Sequence, residues 1–373
     1  MSYAYSFDPN FKTAFSYQWN VSVEHQVGKS MSLTASYVGN RGRDLPSITD
    51  INWGDYVNGA PDPKIAGQWD FNSTSSNVTS RRPNQGYVNI WLLSSNAKSK
   101  YDAFQAIAKF HYANRLTGQV SYVYQTAYDD CSYDPTAYSQ NCASNPSNIH
   151  ADWAQTANHT TLKFFYNYRL PILEHSSSLV AKVVSGWQLS GDGYASTGSP
   201  INVTMGDWNY DGDGQDRPDV AGSIQYQGGR RAAAGSQYYT WVSSAAFANP
   251  GSSIGCPAGY MDCDAKHNGV FGTLKRNALR GPDSNNLDTV LMKNFYVTSS
   301  RSNYLQLRVE TYNTLNHPRL GNPNLGFTPI TWSENATTGA WTENNSNPGT
   351  FGQITGKQAS TARQIQFGVK YYF

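Results

Sequence analysis

Charged residues are scarce in this sequence: Asp, Glu, Lys and Arg make up 14% of its 373 residues, whereas soluble globular chains usually carry about 25%. Leu, Ile, Val and Phe together supply only about 18% of the chain, a level typical of disorder when net charge is high. The formal net charge is only +2, and aromatic residues reach 14%. The composition therefore argues against both disorder and a large aliphatic core, and it favours an extended β structure with one apolar face.

Several functional signals are also missing. No apolar run reaches the roughly 18 residues that a membrane helix needs. The start, Met1-Ser2-Tyr3-Ala4, lacks the basic and apolar regions of a secretory signal. Charges of both signs are mixed and the pI is about 8.2, so nucleic acid is not an expected partner. H-E-x-x-H, G-x-S-x-G and phosphate-binding motifs are absent, so we expect no enzyme, no catalytic residue and no organic cofactor.

The four cysteines form two close pairs, Cys131 with Cys142 and Cys256 with Cys263, in segments rich in Gly, Ser, Asn, Asp and Pro. Zinc sites usually have tighter C-x₂-C spacing and nearby histidines. Disulfides that close two loops are the favoured hypothesis, with free thiols and a metal site as alternatives. Disulfides would indicate an oxidising compartment.

Alternation of apolar and polar residues is the dominant pattern, and it predicts half-buried strands. Such runs lie near 17–23, 31–37, 104–112, 116–125, 162–169, 186–197, 286–298, 303–316 and 364–373. One predicted face is apolar and includes Phe104, Phe110, Leu162, Phe164, Leu305 and Leu307. The opposite face is polar and includes Gln105, Lys109, His111, Lys163, Arg169, Gln306, Arg308 and Glu310.

The connections between these runs alternate in length. Short turns are predicted near 28–30, 113–116, 170–185 and 298–302, and long polar stretches near 40–100, 128–157, 198–285 and 317–360. Short periplasmic turns and long extracellular loops are typical of transmembrane β-barrels. We therefore predict an all-β antiparallel transmembrane barrel, or the C-terminal half of one, with about 10–12 strands. The alternative, an elongated secreted β protein, would need a repeat period that the sequence lacks.

The stretch from Asp207 to Asp216 is the most suggestive of bound metal. Its opening matches the D-x-[DN]-x-[DN]-G pattern, in which alternate side-chain oxygens and a sharp glycine turn surround Ca²⁺. The candidate ligands are Asp207, Asn209, Asp211 and Asp213, but Pro218 stands where the closing bidentate Glu is expected. A weak calcium site is therefore one hypothesis, and an acidic turn held by Asx hydrogen bonds is the other.

Several short blocks, in a fixed order, resemble Oar-like TonB-dependent receptors of the bacterial outer membrane, which carry a carboxypeptidase-regulatory-like domain. The resemblance runs from about residue 10 to residue 373. The blocks are Asn10-Phe11-Lys12-Thr13, Gln18-Trp19-Asn20, Tyr37-Val38-Gly39-Asn40-Arg41-Gly42, Ser99-Lys100-Tyr101-Asp102-Ala103-Phe104-Gln105, Gly186-Trp187-Gln188-Leu189-Ser190-Gly191, Thr197-Gly198-Ser199-Pro200, Asp216-Arg217-Pro218-Asp219, Phe271-Gly272, Arg276-Asn277-Ala278-Leu279-Arg280-Gly281-Pro282, Lys293-Asn294-Phe295, Glu310-Thr311-Tyr312-Asn313-Thr314-Leu315-Asn316-His317-Pro318 and Gly321-Asn322-Pro323-Asn324.

The resemblance implies a location and a set of partners. Receptors of this family have a signal peptide, an N-terminal immunoglobulin-like domain, a plug that contacts TonB, and a barrel of about 22 strands. Residues 1–373 resemble only the C-terminal part of that barrel, without plug or signal peptide. The implied function is binding of an unknown extracellular ligand and TonB-coupled uptake, once the N-terminal plug and barrel half are present. The alternative is a non-transporting surface barrel that acts in adhesion or assembly.

The last strand ends in an aromatic residue. Phe367, Val369, Tyr371 and Phe373 place an apolar side chain at every second position. In outer-membrane proteins this arrangement resembles the signal that the barrel-assembly machinery reads by pairing with an exposed strand edge. We therefore predict that these four residues form an assembly signal.

Overall fold

The computed structural model describes residues 2–55, 60–61, 69–70, 76–130, 144–172, 183–209, 211–212, 216–231, 239–250, 271–296, 303–334, 341–356 and 362–373. The four cysteines and Asp213 lie outside these residues, so the predicted disulfides and the fourth calcium ligand remain predictions. In the described part of the chain, no helix is long and apolar enough to cross a membrane.

The described residues form 24 strands and four short helical turns. The helical turns are Val78–Arg81, Ile149–Asp152, Ser244–Ala246 and Asn347–Thr350. The strands are β1 (Ser2–Phe7), β2 (Phe15–Val27), β3 (Met31–Asp50), β4 (Ala60–Pro61), β5 (Trp69–Asp70), β6 (Tyr87–Tyr112), β7 (Leu116–Asp129), β8 (Ala154–Gln155), β9 (Thr160–Arg169), β10 (Trp187–Ser196), β11 (Pro200–Ile201), β12 (Thr204–Met205), β13 (Asp219–Val220), β14 (Tyr226–Arg231), β15 (Tyr239–Val242), β16 (Phe247–Ala248), β17 (Leu279–Arg280), β18 (Ser284–Tyr296), β19 (Tyr304–Tyr312), β20 (Gly326–Phe327), β21 (Thr331–Glu334), β22 (Trp341–Asn344), β23 (Gln353–Ile354) and β24 (Gln364–Tyr372).

Nine strands form one continuous antiparallel sheet, here called the wall, in the order β2-β3-β6-β7-β9-β10-β18-β19-β24. Each wall strand pairs with the next one along the chain, which confirms the predicted antiparallel architecture. Two further strands join the sheet at its margins: β1 pairs parallel with β6, and β8 pairs with β7. Within the described residues the sheet thus has eleven strands, which agrees with the ten to twelve expected, and nine of them form the antiparallel meander.

The pairing register divides the wall into two chemically different faces. Residues that pair across a sheet point to the same face. Ala108 of β6 pairs with Leu33 of β3 and with Val120 of β7, so these three residues lie on one side of the wall. The side defined in this way, the apolar face, includes all six residues predicted for it, and none of the six is buried. Its larger members are Leu33, Phe104, Phe110, Leu116, Val120, Leu162, Phe164, Leu189, Leu291, Leu305, Leu307, Val309, Phe367, Val369 and Tyr371.

Strand length differs between the two halves of the wall. β9 and β10 have 10 residues each and β19 and β24 have 9 each, which matches the 9–11 residues or so of a tilted bilayer crossing. β3 and β6 have 20 and 26 residues. Because a short turn at 28–30 or 113–115 closes one end of each of these strands, their surplus length extends beyond the other end.

Four long loops lie at that other end: 51–86 (L1), 130–159 (L2), 197–283 (L3) and 313–363 (L4). The sequence suggests only polar stretches there, yet L3 and L4 share a hydrophobic core. The residues of this core are Ile201, Val203, Met205, Trp208, Val242, Ala246, Phe247, Leu274, Leu279, Leu325, Phe327 and Phe351. We call the unit formed by L3 and L4 the loop cap.

Short strands and one aromatic cluster hold the loop cap together. β12 of L3 pairs with β20 of L4, and β15 of L3 pairs with β23 of L4. The rings of Phe247, Phe327 and Phe351 lie 5.3–6.4 Å apart between centroids, at steep mutual angles. Each buried Phe contributes about 1.5–3 kcal/mol of transfer free energy, so these three rings contribute much of the stability of the loop cap.

Glycines on the apolar face lie under aromatic rings of the neighbouring strand. A Cβ atom at Gly193 would lie 2.7 Å from Cζ of Phe164 and 2.9 Å from the carbonyl oxygen of Asn286. The ring of Phe110 covers Gly118, and the ring of Trp19 covers Gly39 in the same way. Covering a strand glycine with an aromatic ring protects its exposed backbone and helps fix the register.

We predict that Gly193→Val destabilises the wall by about 1–3 kcal/mol, because the new side chain must displace a ring and a backbone carbonyl. The folded band on an unheated gel should be lost at a lower temperature than in the wild type. Gly368→Val in β24 is the matched control, since the nearest atom to a Cβ there is 3.8 Å away. Equal losses in the two variants would contradict the packing argument.

Candidate functional site

The side of the wall opposite the apolar face carries most of the charged and amide side chains, and we call it the polar face. Register places all eight predicted residues on it: Gln105, Lys109, His111, Lys163, Arg169, Gln306, Arg308 and Glu310. It also holds Asp192 and Asp288, which pair directly across β10 and β18. Their proximity makes the middle of the polar face acidic, and Lys163 lies one strand away.

A shallow pocket of about 260 Å³ lies on the polar face beside these groups. It is lined by Gln119, Ser121, Lys163, Phe165, Asp192 and Tyr194, with contributions from Phe164 and Gly193. Amide, hydroxyl, ammonium and carboxylate groups thus converge beside the aromatic side chains of Phe165 and Tyr194, a combination that suits a polar ligand or a polar protein surface.

The upper part of the polar face is tied to loop L4. The hydroxyl of Tyr194 accepts a hydrogen bond from Arg319 at 2.8 Å and lies 3.2 Å from the hydroxyl of Ser284. The carboxylate of Asp288 accepts hydrogen bonds from Asn286 at 2.8 Å and from the backbone N–H of Asn313 at 2.7 Å. These contacts connect the loop cap with the wall directly above the pocket.

A buried ion pair joins L3 to L2. Arg217 is bonded to Asp152, and the two side chains are 4% and 0% exposed. Arg217 also donates to the hydroxyl of Ser144 at 2.6 Å and to the carbonyl of Leu274 at 3.1 Å. Burial, and then the charge of Arg276, lowers the pKa of Arg217 to about 10, so the guanidinium remains charged at neutral pH.

Two further arginines of L3 also bind L2. Arg276 donates to the carbonyl oxygen of Asp152 in L2 at 3.0 Å and to the carbonyl oxygen of Asp129, at the end of β7, at 2.8 Å. Arg280 donates to the carbonyl oxygen of Ala157 at 3.1 Å and to Gln155. The three guanidiniums form an arginine clamp, defined as Arg217, Arg276 and Arg280, which fixes the loop cap to L2.

The candidate calcium turn is organised by hydrogen bonds within itself. Asp207 accepts the backbone N–H groups of Asp211 and Gly212 at 3.0 Å, and Asn209 accepts that of Asp211 at 3.0 Å. A Cβ atom at Gly212 would collide with Nη2 of Arg82, so a guanidinium lies against this turn. Within the described residues, no group of three or more acidic, His or Cys side chains is arranged to hold a metal.

These contacts support the Asx-turn hypothesis, since the oxygens cap backbone donors and a positive charge lies close by. The calcium hypothesis remains a prediction, because Asp213 lies outside the described residues.

Asp216, which the sequence did not single out, has a strongly raised pKa. Burial, and then the nearby charge of Asp211, raises the pKa of its carboxyl group to about 8. The backbone N–H groups of Trp208 and Asn209 donate to it at 2.6 and 3.2 Å, respectively. The carboxyl group therefore titrates near neutral pH.

Comparison with protein families identifies the class of protein. A family model described as "Outer membrane beta barrel domain" matches residues 2–366. The chain belongs to this family and is an outer-membrane β-barrel protein, so the apolar face contacts lipid and the polar face lines the lumen. In barrels of this class the short turns lie in the periplasm and the long loops outside the cell.

Among solved structures, the chain is similar to the outer membrane transporter YddB from Escherichia coli. Sequence identity is 10% and the TM-score is 0.42; the match covers 97% of this chain and 33% of that one. The chain therefore spans about a third of the length of this relative. No curated protein matches the sequence.

The predicted assembly-signal residues lie on the last wall strand. Phe367, Val369 and Tyr371 of β24 pair with Val309, Leu307 and Leu305 of β19 on the apolar face. Phe373 follows β24 and is 95% exposed. In the described part of the chain, β24 pairs with another strand along one edge only, which leaves the other edge open for templated pairing.

The arginine clamp and Asp216 were not identified as functional from the sequence, although both lie in blocks that carry the family resemblance. Arg217 and Asp216 belong to Asp216-Arg217-Pro218-Asp219, and the other two arginines belong to Arg276-Asn277-Ala278-Leu279-Arg280. An arginine in a polar, Gly-rich stretch is a candidate for a buried ion pair. The local sequence does not show which acidic residue of L2 is its partner.

We predict that Asp152→Asn loosens the loop cap by about 3–5 kcal/mol, because it leaves the guanidinium of Arg217 buried without its counter-charge. Limited proteolysis of intact cells should then cut L2 and L3 faster. Lys275→Met, which removes an exposed charge nearby, should not change the cutting rate. The double variant Arg217→Met/Asp152→Leu should recover part of the resistance, and a double variant as weak as the single one would contradict the buried-charge explanation.

We also predict a pH-dependent cap. A carboxyl group whose folded pKa is about 8 contributes stability that is fully present below its unfolded pKa of about 3.9 and is lost as pH rises through the folded value. Asp216→Asn should therefore flatten the fall in thermal stability between about pH 4 and pH 8, the window between the two pKa values. Calorimetry at pH 5, 7 and 9 measures this, with the exposed Asp283→Asn as control; a wild-type slope in Asp216→Asn would contradict the assignment.

Proposed function

We propose that this chain is the C-terminal part of a TonB-dependent receptor barrel, which binds an extracellular ligand and takes part in its energised uptake. The observation that carries the proposal is the continuous polar face, which runs the length of the wall and presents charged groups toward the lumen. A continuous polar face with charged groups can line a transport path or contact a plug.

The loop cap supplies the ligand-binding part of the proposal. L3 and L4 share a core, and the arginine clamp holds them on L2. A pre-organised loop surface binds with a smaller loss of conformational entropy than mobile loops do. The contacts of Arg319 and Asn313 with β10 and β18 link this surface to the lumenal pocket.

The other elements of the proposal lie outside this sequence. We propose that an N-terminal plug and the remaining strands complete the barrel, and that the plug contacts the TonB complex. The family resemblance of the short sequence blocks supports this arrangement. In this proposal the chain has no enzymatic role, and its partners are the plug, the TonB complex and an extracellular ligand.

Metabolite depletion tests the proposal even when the ligand is unidentified. Cells that make the complete protein are compared with strains that lack it and with strains that lack the TonB complex. Mass spectrometry then follows the compounds removed from a complex medium. We expect at least one compound whose depletion requires both the barrel and the TonB complex.

The alternative is a non-transporting surface barrel that acts in adhesion or assembly, favoured by the rigid loop cap. If no compound depends on both components, and the strain lacking the barrel loses surface attachment, the transport proposal is wrong. If uptake is lost in the strain that lacks the barrel but not in the strain that lacks the TonB complex, TonB coupling is also contradicted.

We further propose that Phe367, Val369, Tyr371 and Phe373 are read by the barrel-assembly machinery. Deleting Phe373, or changing it to Asp, in the complete protein should lower outer-membrane insertion while synthesis remains normal, because the terminal aromatic contact is lost. Quantitative blotting of membrane fractions measures this effect. Phe165→Asp on the polar face is the control, because it also removes an aromatic ring. Wild-type levels of insertion in the Phe373 variants would show that Phe373 is not part of an assembly signal.

A further inference from the structure

Lys293 is a charged residue on the lipid-facing side of the wall. It pairs with Trp187 of β10 and Leu307 of β19, and Leu307 pairs in turn with Val369, so register places it on the apolar face. The residue is only 3% exposed. An ammonium group on this face is costly unless its donors are satisfied.

The ammonium group is satisfied by the connection between β9 and β10. Its Nζ donates to the carbonyl oxygens of Val183 and Ser185 at 2.7 and 2.5 Å. It also lies 4.8 Å from the ring centroid of Phe295 and 5.9 Å from that of Trp187. Because these carbonyls reach a side chain on the apolar face, residues 183–185 of the connection lie over the lipid-facing side and away from the lumen.

The described residues of this connection are apolar and exposed. Val183 is 60% exposed, and Val184 and Ile172 are each 38% exposed. These residues lie next to the end of the apolar face at which the rings of Trp187 and Phe295 flank Lys293. Aromatic rings of this kind lie at the membrane interface in barrels, and apolar side chains beside them reach the boundary between headgroups and acyl chains.

We propose that residues 183–186, the described end of the β9–β10 connection, form a lipid-binding element, which rests on the periplasmic leaflet with Val183 and Val184 among phospholipid acyl chains. Lys293 is the positioning residue, since it holds two backbone carbonyls of the connection against the outer side of the wall. The occupant follows from continuity: the valines extend the surface that already contacts lipid. This inference does not depend on transport or on the TonB complex.

Collision measurements on a nitroxide amino acid test the proposal. The label is introduced by amber suppression, which leaves the native cysteines in place, into the complete protein reconstituted in phospholipid bilayers. Position 183 is compared with Leu307 on the apolar face and Lys29 in the periplasmic turn between β2 and β3. We expect oxygen collisions to exceed those with a water-soluble nickel chelate at 183 and 307, and the reverse at 29.

A second variant tests the anchoring. Lys293→Met keeps an unbranched side chain but removes the two hydrogen bonds. At position 183, collisions with the nickel chelate should then exceed those with oxygen (the aqueous ratio), while at position 307 oxygen collisions should still be the more frequent (the lipid ratio). Lys293→Arg, which can still donate to both carbonyls, should keep 183 in lipid. An aqueous ratio at 183 in the wild type, or shielding from both reagents, would overturn the lipid contact. An unchanged ratio in Lys293→Met would overturn the role of Lys293.

Discussion

Backbone hydrogen bonding inside a bilayer is the constraint on which this structure depends. No water reaches the hydrocarbon region, so every N–H and C=O group there must pair within the protein. The meander meets this requirement because each wall strand pairs with its neighbours along the chain. Side chains then alternate between lipid and lumen, and a shift of one residue would exchange the two faces entirely.

The same constraint explains where exceptions occur. Lys293 is tolerated on the lipid side because its donors reach carbonyls at the membrane boundary. Glycines such as Gly193 are tolerated in the wall because a neighbouring ring covers them. The loops lie outside the hydrocarbon region, so they can bury charge, and the pair of Arg217 with Asp152 uses that freedom to join two distant segments.

The loop surface and the lumen are linked by geometry in this fold. The loop cap contacts the wall at Tyr194 and Asp288, above the lumenal pocket that contains Lys163 and Asp192. Asp216 lies in the same cap and titrates near neutral pH because burial disfavours its charge. L4 is therefore joined by hydrogen bonds to β10 and β18 beside the lumenal pocket.

The alternating pattern by itself determined the strands of the wall, their two faces, the short turns near 28–30 and 113–116 and the outer-membrane class, because a period of two residues is a local property. It left the loops as polar stretches. Only tertiary structure decided that L3 and L4 share a core, that Arg217 meets Asp152, and that Lys293 reaches Val183. These partners lie 65 and 110 residues apart along the chain, and no local pattern encodes contacts that depend on how separate loops pack.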